Sequence, residues 1–417
     1  MVEMDVIKGS FVVAFCGSGT GHMMQALTLT RTLQAAGMTL TGVITDTDAA
    51  QKLIDELIKP LGVPILVLPA ITIVTKDGVL PPHKVLRGAL ACVKGLKQAS
   101  ERIRAFLAES KASLILNMWQ ISLGKYLQLN PLPKNVRVVH LAAQFCHLSV
   151  RARDVRGGFM AAAAKGTIDV MASIFRPSGQ CVAITASAGE DLGAKSSGGA
   201  KSSGGASVGS GADSRKLLAP IIDVPPALSA ASPSSTSSAP SPPPLILCYF
   251  LTLAPARRLE RLLHANPLGA EGPEVHVFTS ELLTPPRGRT NLSVTSHLKE
   301  RKLFVELFHR CTGVICSTGN ETIWEAACRG VPVLTLPTAG HGEQILNATV
   351  HARALPQLVR ARTRLKMADI RWLVGFEHTD ASRAESDGLR QRCAALERRG
   401  GLSALLAGDE QEEGETL

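Results

Sequence analysis

The sequence predicts an α/β protein made of two doubly wound parallel-sheet halves. Three observations carry this. Continuous apolar runs at 11–16 and 313–316 suit strands covered on both faces rather than strands with one wet face. Runs of this kind alternate with amphipathic helical patterns, as in linked strand–helix–strand units. The alternation occurs twice, on either side of a stretch poor in apolar residues. A chain of 417 residues with 45% hydrophobic content is long enough for two cores.

In the first half, 11–16 is the opening strand. Gly17, Ser18, Gly19, Thr20, Gly21 and His22 form a glycine-rich turn. A helix over 23–36 follows, with Ala26, Leu29, Thr30 and Leu33 on one face, and Gly37 closes it. The second strand, 40–45, ends in Asp46. Further strands are predicted at 65–68, 113–117 and 136–142, with a turn at 76–78 and helical patterns from 84–95 on to about 109. Gln144 and His147 lie just past the C-terminal end of the 136–142 strand. Ligands of open parallel sheets sit off such ends, which makes both candidate cleft residues; an ordinary loop role is the alternative for each.

The glycine turn admits other readings. Gly17, Gly19 and Asp46 are placed as in a dinucleotide-binding unit. His22, however, takes the place of the third glycine, which normally lets the helix approach the sheet. No Lys–Ser/Thr pair follows the glycines, so a P-loop is excluded.

The centre of the chain is compositionally biased. Residues 186–214 are dominated by Gly, Ser, Ala and Lys, with AKSSGGA repeated, and 227–244 are rich in Ser and Pro. Neither can bury a core, so both are predicted to be disordered. Between them LLAPIIDVPP, 217–226, is apolar and is expected to dock as the entry to the second half. That half then reads strand 245–251, helix 255–264, strands 274–279 and 291–295, and helix 300–309.

The stretch 311–348 is the most informative. Strand 313–316 runs into a turn of Ser317, Thr318, Gly319 and Asn320. A helix follows with Ile323, Ala326 and Ala327 on one face, and Gly330 stops it. Strand 331–336 ends at Pro337 and leads into a second loop of Gly340, His341 and Gly342, then Glu343 and Gln344. Backbone N–H groups at the first turn make a helix N-terminus suited to a phosphate. Glu325 lies one helical turn beyond Glu321, and a carboxylate there can accept hydrogen bonds from two vicinal hydroxyls. Glu343 and Gln344 together supply acceptors and donors for sugar hydroxyls. Structural alternatives exist: a Thr318–Glu321 capping box, and a surface ion pair between Glu325 and Arg329.

The set Ser317, Gly319, Glu321, Thr322, Ile323, Glu325, Ala326, Gly330, Pro332, Val333, Pro337, Gly340, Glu343, Gln344, Asn347 and Ala348 resembles the donor-binding half of GT-B glycosyltransferases. The likeness is to the family-28 and UDP-glycosyltransferase-like group, nearest to microbial family-28-like proteins. Asn320 stands where an aromatic or small residue is usual, and Asn117 where an acidic one often follows its strand. The opening strand, glycine turn and His22 resemble the acceptor-side half of the same group.

The resemblance implies a GT-B fold, two Rossmann-like domains facing a cleft. The expected division is 1–185 for the acceptor side, 186–214 for the insertion, 215–375 for the nucleotide-sugar side and 376–417 for a C-terminal helix and acidic tail. It also implies transfer of a sugar from a nucleotide sugar, a UDP-sugar foremost, to an acceptor hydroxyl. His22 is the candidate general base. Ser317, Thr318, Gly319, Asn320, Glu325, His341, Gly342, Glu343 and Gln344 are the candidate donor contacts. Alternatives are an epimerase or hydrolase acting on nucleotide sugars, and a non-catalytic nucleotide-sugar-binding subunit.

Composition narrows the classes further. A net charge of +10 and a pI near 9.3 permit peripheral contact with an anionic membrane. With 4% aromatic residues and no interleaving of basic and aromatic side chains, nucleic-acid recognition is not expected. The nine cysteines show no metal-ligand spacing and no Asp-x-Asp motif occurs, so neither a resident metal nor another cofactor is predicted. MVEMDVIKGS has no leader-like apolar segment, and the expectation is a cytoplasmic protein whose acceptor is a lipid, glycan or small molecule. The basic residues Arg353, Arg360, Arg362, Arg364 and Lys366 read as one solvated helix face, and the acidic residues from Asp409 as a frayed tail.

Overall fold

The computed structural model describes residues 9–17, 21–47, 49, 51–70, 99–149, 158–186, 216–223, 243–268, 272–285, 293–339 and 341–397. The apolar runs form two all-parallel sheets. The first contains β1 (Ser10–Phe15), β2 (Thr39–Asp46), β3 (Ile65–Leu68), β4 (Leu114–Met118), β5 (Arg137–Ala142), β6 (Gln180–Ile184) and β7 (Lys216–Leu218) in the order β3-β2-β1-β4-β5-β6-β7. The second contains β8 (Leu245–Tyr249), β9 (Glu274–Thr279), β10 (Thr295–Leu298), β11 (Gly313–Cys316), β12 (Val333–Thr335) and β13 (Val359–Ala361) in the order β10-β9-β8-β11-β12-β13.

Both sheets reverse strand order beside their first strand. In the first, β1 lies between β2 and β4, and in the second, β8 lies between β9 and β11. Loops leaving the C-terminal ends of neighbouring strands diverge there and open a crevice. The glycine turn leaves β1, and the Ser317 turn leaves β11. Topology alone thus places both singled-out turns at switch points.

Helices cover the sheets: α1 (Gly21–Ala35), α2 (Gln51–Leu53, continued by tighter and wider turns to Leu61), α3 (99–110), α4 (Ile121–Leu129) and α5 (Gly158–Ser173) in the first half. In the second are α6 (Leu253–Ala265), α7 (Arg301–Arg310), α8 (Glu321–Cys328), α9 (Gly342–Ala354), α10 (Met367–Val374) and α11 (Asp380–Glu397). Gly37 and Gly330 end α1 and α8 at φ +95° and +80°, where a side chain would be strained. One apolar core joins the halves: it includes Phe11 and Leu29 of the first, Ile222 of the connection, and Trp324 and Leu389 of the second. The α5 and α9 helices also pack on each other across the halves.

Four expectations need correction. Residues 216–218, assigned to the second half, pair with β6 and complete the first sheet. The strand expected at 291–295 is β10, shifted toward the C-terminus to Thr295–Leu298 and paired with β9. The basic segment after His351 is not one helix, because β13 intervenes and pairs with β12. Its arginines are not one solvated face either: Arg360 stacks over Trp372 at 4.1 Å, and Arg362 pairs with Asp369 at 2.6 Å. The biased segments 187–214 and 227–242, the 84–95 helical pattern and the tail from Asp409 lie outside the described residues.

Candidate active site

The first switch point is tied together by Asp46. Its carboxylate accepts a hydrogen bond from the Gly17 N–H at 3.0 Å and another from Gln120 Nε2 at 3.2 Å. A Cβ at Gly17 would collide with Asp46 and with the Ala49 backbone, so this turn needs glycine. Asp46 is buried and committed within the loop, which removes the acid that a dinucleotide ribose would need. Asn117 is spent locally too, accepting from the Gln120 N–H at 2.8 Å. Gly19 lies outside the described residues, while Gly21 opens α1 and puts His22 in its first turn.

The second switch point carries the donor motif. Ser317 Oγ accepts from the Leu251 N–H at 3.1 Å and holds the turn against the end of β8. Thr318 is fully buried with an unpartnered hydroxyl, and the Gly319 N–H turns back to the Ser317 carbonyl at 2.7 Å. Asn320 Oδ1 accepts from His351 Nε2 at 2.8 Å. Glu321 does not form a capping box with Thr318; its side chain points away from α8 and lies against the first half.

Glu325 sits one turn further along α8. Burial, then the charges of Glu321 and Asp223, raise its pKa from the ordinary 4.5 to about 7, against the pull of Arg301. The Glu325–Arg329 surface pair does not form. Arg329 is buried and donates to the Phe308 and His309 carbonyls, the latter at 2.5 Å. In the second loop, His341 caps α9 by accepting the Gln344 N–H on Nδ1 at 3.4 Å. Gln344 Oε1 accepts the Thr338 N–H at 2.7 Å, which orients the side chain and leaves both amide hydrogens and one oxygen lone pair for a ligand. Gly342 is the first residue of α9, and Gly340 lies outside the described residues.

The structure brings the two motifs together across the cleft. Gln144 Nε2 donates to Glu343 Oε1 at 2.8 Å and lies 3.4 Å from His22 Nε2. Gln25 Nε2 donates to Glu321 Oε1. His147 Nε2 donates to Asn347 Oδ1 at 2.7 Å, and Asn347 in turn donates to the Thr318 carbonyl at 3.2 Å. Both candidate cleft residues of the first half are therefore at the domain junction. His147 is buried with its Nε2 hydrogen committed; burial lowers its pKa more than Glu343 raises it. Gln25, Glu321 and Asn347 are site residues that the sequence left unassigned. Gln25 carried one signal, a polar residue three positions after His22 on a helix face that is otherwise apolar.

No protein-family model and no curated protein matches the chain. Solved structures do. Arabidopsis thaliana UGT89C1 complexed with UDP-L-rhamnose is 16% identical, with a TM-score of 0.60 over 96% of this chain and 97% of that one. CalG4, the calicheamicin glycosyltransferase, is 14% identical with a TM-score of 0.55 over 96% and 98%. The glycotransferase of kitacinnamycin is 12% identical with a TM-score of 0.55 over 95% and 98%. These neighbours span nearly the whole of both chains, and all are GT-B glycosyltransferases. The protein has the GT-B fold, as the residues of 311–348 implied.

Proposed function

We propose that the protein is a glycosyltransferase that moves a sugar from a UDP-sugar to an acceptor hydroxyl. One observation carries the reading: Glu343 of the donor motif and His22 of the glycine turn meet on the same side chain, Gln144, at 2.8 and 3.4 Å. A sugar held by Glu343 and Gln344 would then present its reacting carbon toward His22. Glu325 accepts the two ribose hydroxyls, and the turn at Ser317, Thr318, Gly319 and Asn320 faces the diphosphate. Structural neighbours complexed with UDP-L-rhamnose and with quercetin support a nucleotide-sugar donor and a separate acceptor.

The chemistry follows from these positions. An amide N–H can only donate, so His22 Nε2 accepts from Gln144 and the neutral ring carries its hydrogen on Nδ1. An acceptor hydroxyl entering at Nε2 gives its proton to that lone pair as its oxygen bonds to the sugar carbon. The bond from that carbon to the diphosphate breaks, and UDP leaves with the electron pair. Its negative charge falls beside the N-terminus of α8, where the helix dipole favours it. This mechanism uses no cofactor. Among the described residues no group of three or more His, Cys, Asp or Glu side chains is placed to hold a metal.

The net charge of +10 permits peripheral contact with an anionic membrane, and the acceptor in this reading is a lipid, glycan or small molecule met in the cytoplasm. Among the described residues no helix is long and apolar enough to cross a membrane. A thermal-shift screen of nucleotide sugars followed by a consumption assay tests the reading. Transfer predicts stabilisation by UDP-sugars and consumption that needs an acceptor. Consumption without acceptor points to a hydrolase or epimerase, and stabilisation without consumption to a binding subunit.

A further inference from the structure

We infer that Glu321, from the opposite domain, is the carboxylate that orients His22, so that the general base is complete only when the two halves are closed. This rests on the glycosyltransferase reading for its consequence, though not for its geometry. The Nδ1 atom of His22 is buried and has no hydrogen-bond partner. Gln144 donates toward Nε2, so the hydrogen of the neutral ring is on that orphaned Nδ1. A buried N–H without an acceptor is costly and marks a place where an acceptor belongs.

The acid that reaches the start of α1 is Glu321. One of its oxygens, Oε1, accepts from Gln25 Nε2. The other, Oε2, lies where a Cβ on Gly21 would stand, next to the backbone of His22. Gly21 is therefore a glycine so that a carboxylate from the other half can reach the start of α1. The charges of His22 and Glu321 are coupled: His22 is the strongest influence opposing the upward push that burial gives the Glu321 pKa. A bond from the Nδ1 hydrogen to Oε2 would give both atoms a partner. Within the first half, Asp46 is bonded to Gly17 and Gln120, and position 117 is an asparagine, so neither of these positions takes this role.

In the cycle, the bond does two things. It fixes the tautomer that leaves Nε2 as the base. It also stabilises the imidazolium formed when Nε2 takes the acceptor's proton, as a buried acid beside a catalytic histidine does. Glu321 is a positioning residue and touches no reacting atom. Gln25, three residues after His22, holds it in turn.

The test is an NMR titration of the His22 ring in the full-length protein, wild type against Glu321→Gln. Other groups facing His22 are Gln25 on its own helix, Gln144, and Glu343 on α9; these are unchanged in the variant. Loss of an adjacent opposite charge should lower the His22 pKa by about one pH unit or more. The acidic limb of the turnover–pH profile should move by the same amount. An unchanged His22 titration overturns the inference. If Glu321→Gln does not fold, the wild-type protein suffices: the Glu321 carboxyl carbon should show a second inflection at the His22 pKa, and a single inflection overturns the inference. Failure of the glycosyltransferase reading looks different, because the two groups would still titrate together while no nucleotide sugar bound.

Discussion

In the proposed mechanism the chemistry turns on His22. It lies in the first turn of α1 with Nε2 directed at Gln144, where an acceptor hydroxyl would enter. Replacing His22 with alanine should reduce turnover by about 10²–10⁴-fold. UDP affinity, measured by calorimetry, should stay within a few fold. Surviving turnover with collapsed UDP binding would make His22 a phosphate contact instead. His147 would be a poor substitute, since its Nε2 hydrogen is held by Asn347.

Glu325 adds a pH signature. Its folded pKa, about 7, stands above the ordinary 4.5. A raised acid pKa means that the folded protein holds the proton more tightly than the unfolded chain. Glu325 therefore contributes a loss of stability in the ligand-free fold as pH rises from about 4.5 to about 7, levelling off above, while buried His140 and His351, held down to about 3, push the other way. Ribose hydroxyls donate to the ionised carboxylate, so UDP should bind more tightly over the same rise. Glu325→Gln should remove both contributions in thermal melts and titrations; a wild-type-minus-variant difference that stays flat between pH 5 and 7.5 would contradict the assignment. His22, Glu325 and Glu343 were legible in the sequence because each follows a glycine-marked strand end. The Gln25–Glu321 pair was not, because its members are 296 residues apart and only the domain packing joins them.

Among the elements, the turns decide where side chains point. The αL stop at Gly330 sets the path from α8 into β12, and with it the spacing between Glu325 and Glu343. A methyl group at Gly330 meets only ordinary contacts, the nearest at 3.5 Å, so the cost of Gly330→Ala is conformational. It should destabilise by about 1–2 kcal/mol in chemical denaturation, with an unchanged slope. No loss would mean that this turn adopts a different backbone in solution. Strands of four or more apolar residues could be read from the sequence, and most of them were. Two of the three-residue strands, β7 and β13, could not, because so short a run has no period of its own and is defined by its neighbour's register; β12, equally short, was read from the longer apolar run 331–336 around it. Similarly, the arginines near β13 looked like a solvated helix until Trp372 and Asp369 on α10 gave them partners.

In the molecule as a whole, the cleft is held shut by two glutamine-to-glutamate contacts, Gln25 to Glu321 and Gln144 to Glu343, beside the α5–α9 packing. Those glutamates are wanted by the base and the donor, so closure and chemistry share the same carboxylates. A double variant, Gln25→Leu with Gln144→Leu, should enlarge the nucleotide-free protein in small-angle scattering. An unchanged radius of gyration would leave closure to the apolar core and the His147–Asn347 bond. The doubly wound order of both sheets was legible because it follows from alternating runs and turns. The way the halves face each other was not, since every contact that fixes it pairs residues far apart in sequence.

The central claim is that the α8 turn and α9 hold a nucleotide sugar, and calorimetric titration tests it most directly. UDP and a UDP-sugar would each be titrated into wild type, Glu325→Ala and Gln344→Ala. Loss of a charged hydrogen-bond acceptor costs about 1.5–3 kcal/mol, roughly a tenfold to hundredfold weaker Kd. Glu325→Ala should weaken UDP and the UDP-sugar alike by that amount, whereas Gln344→Ala should weaken only the UDP-sugar. Equal UDP affinity in wild type and Glu325→Ala would contradict the account.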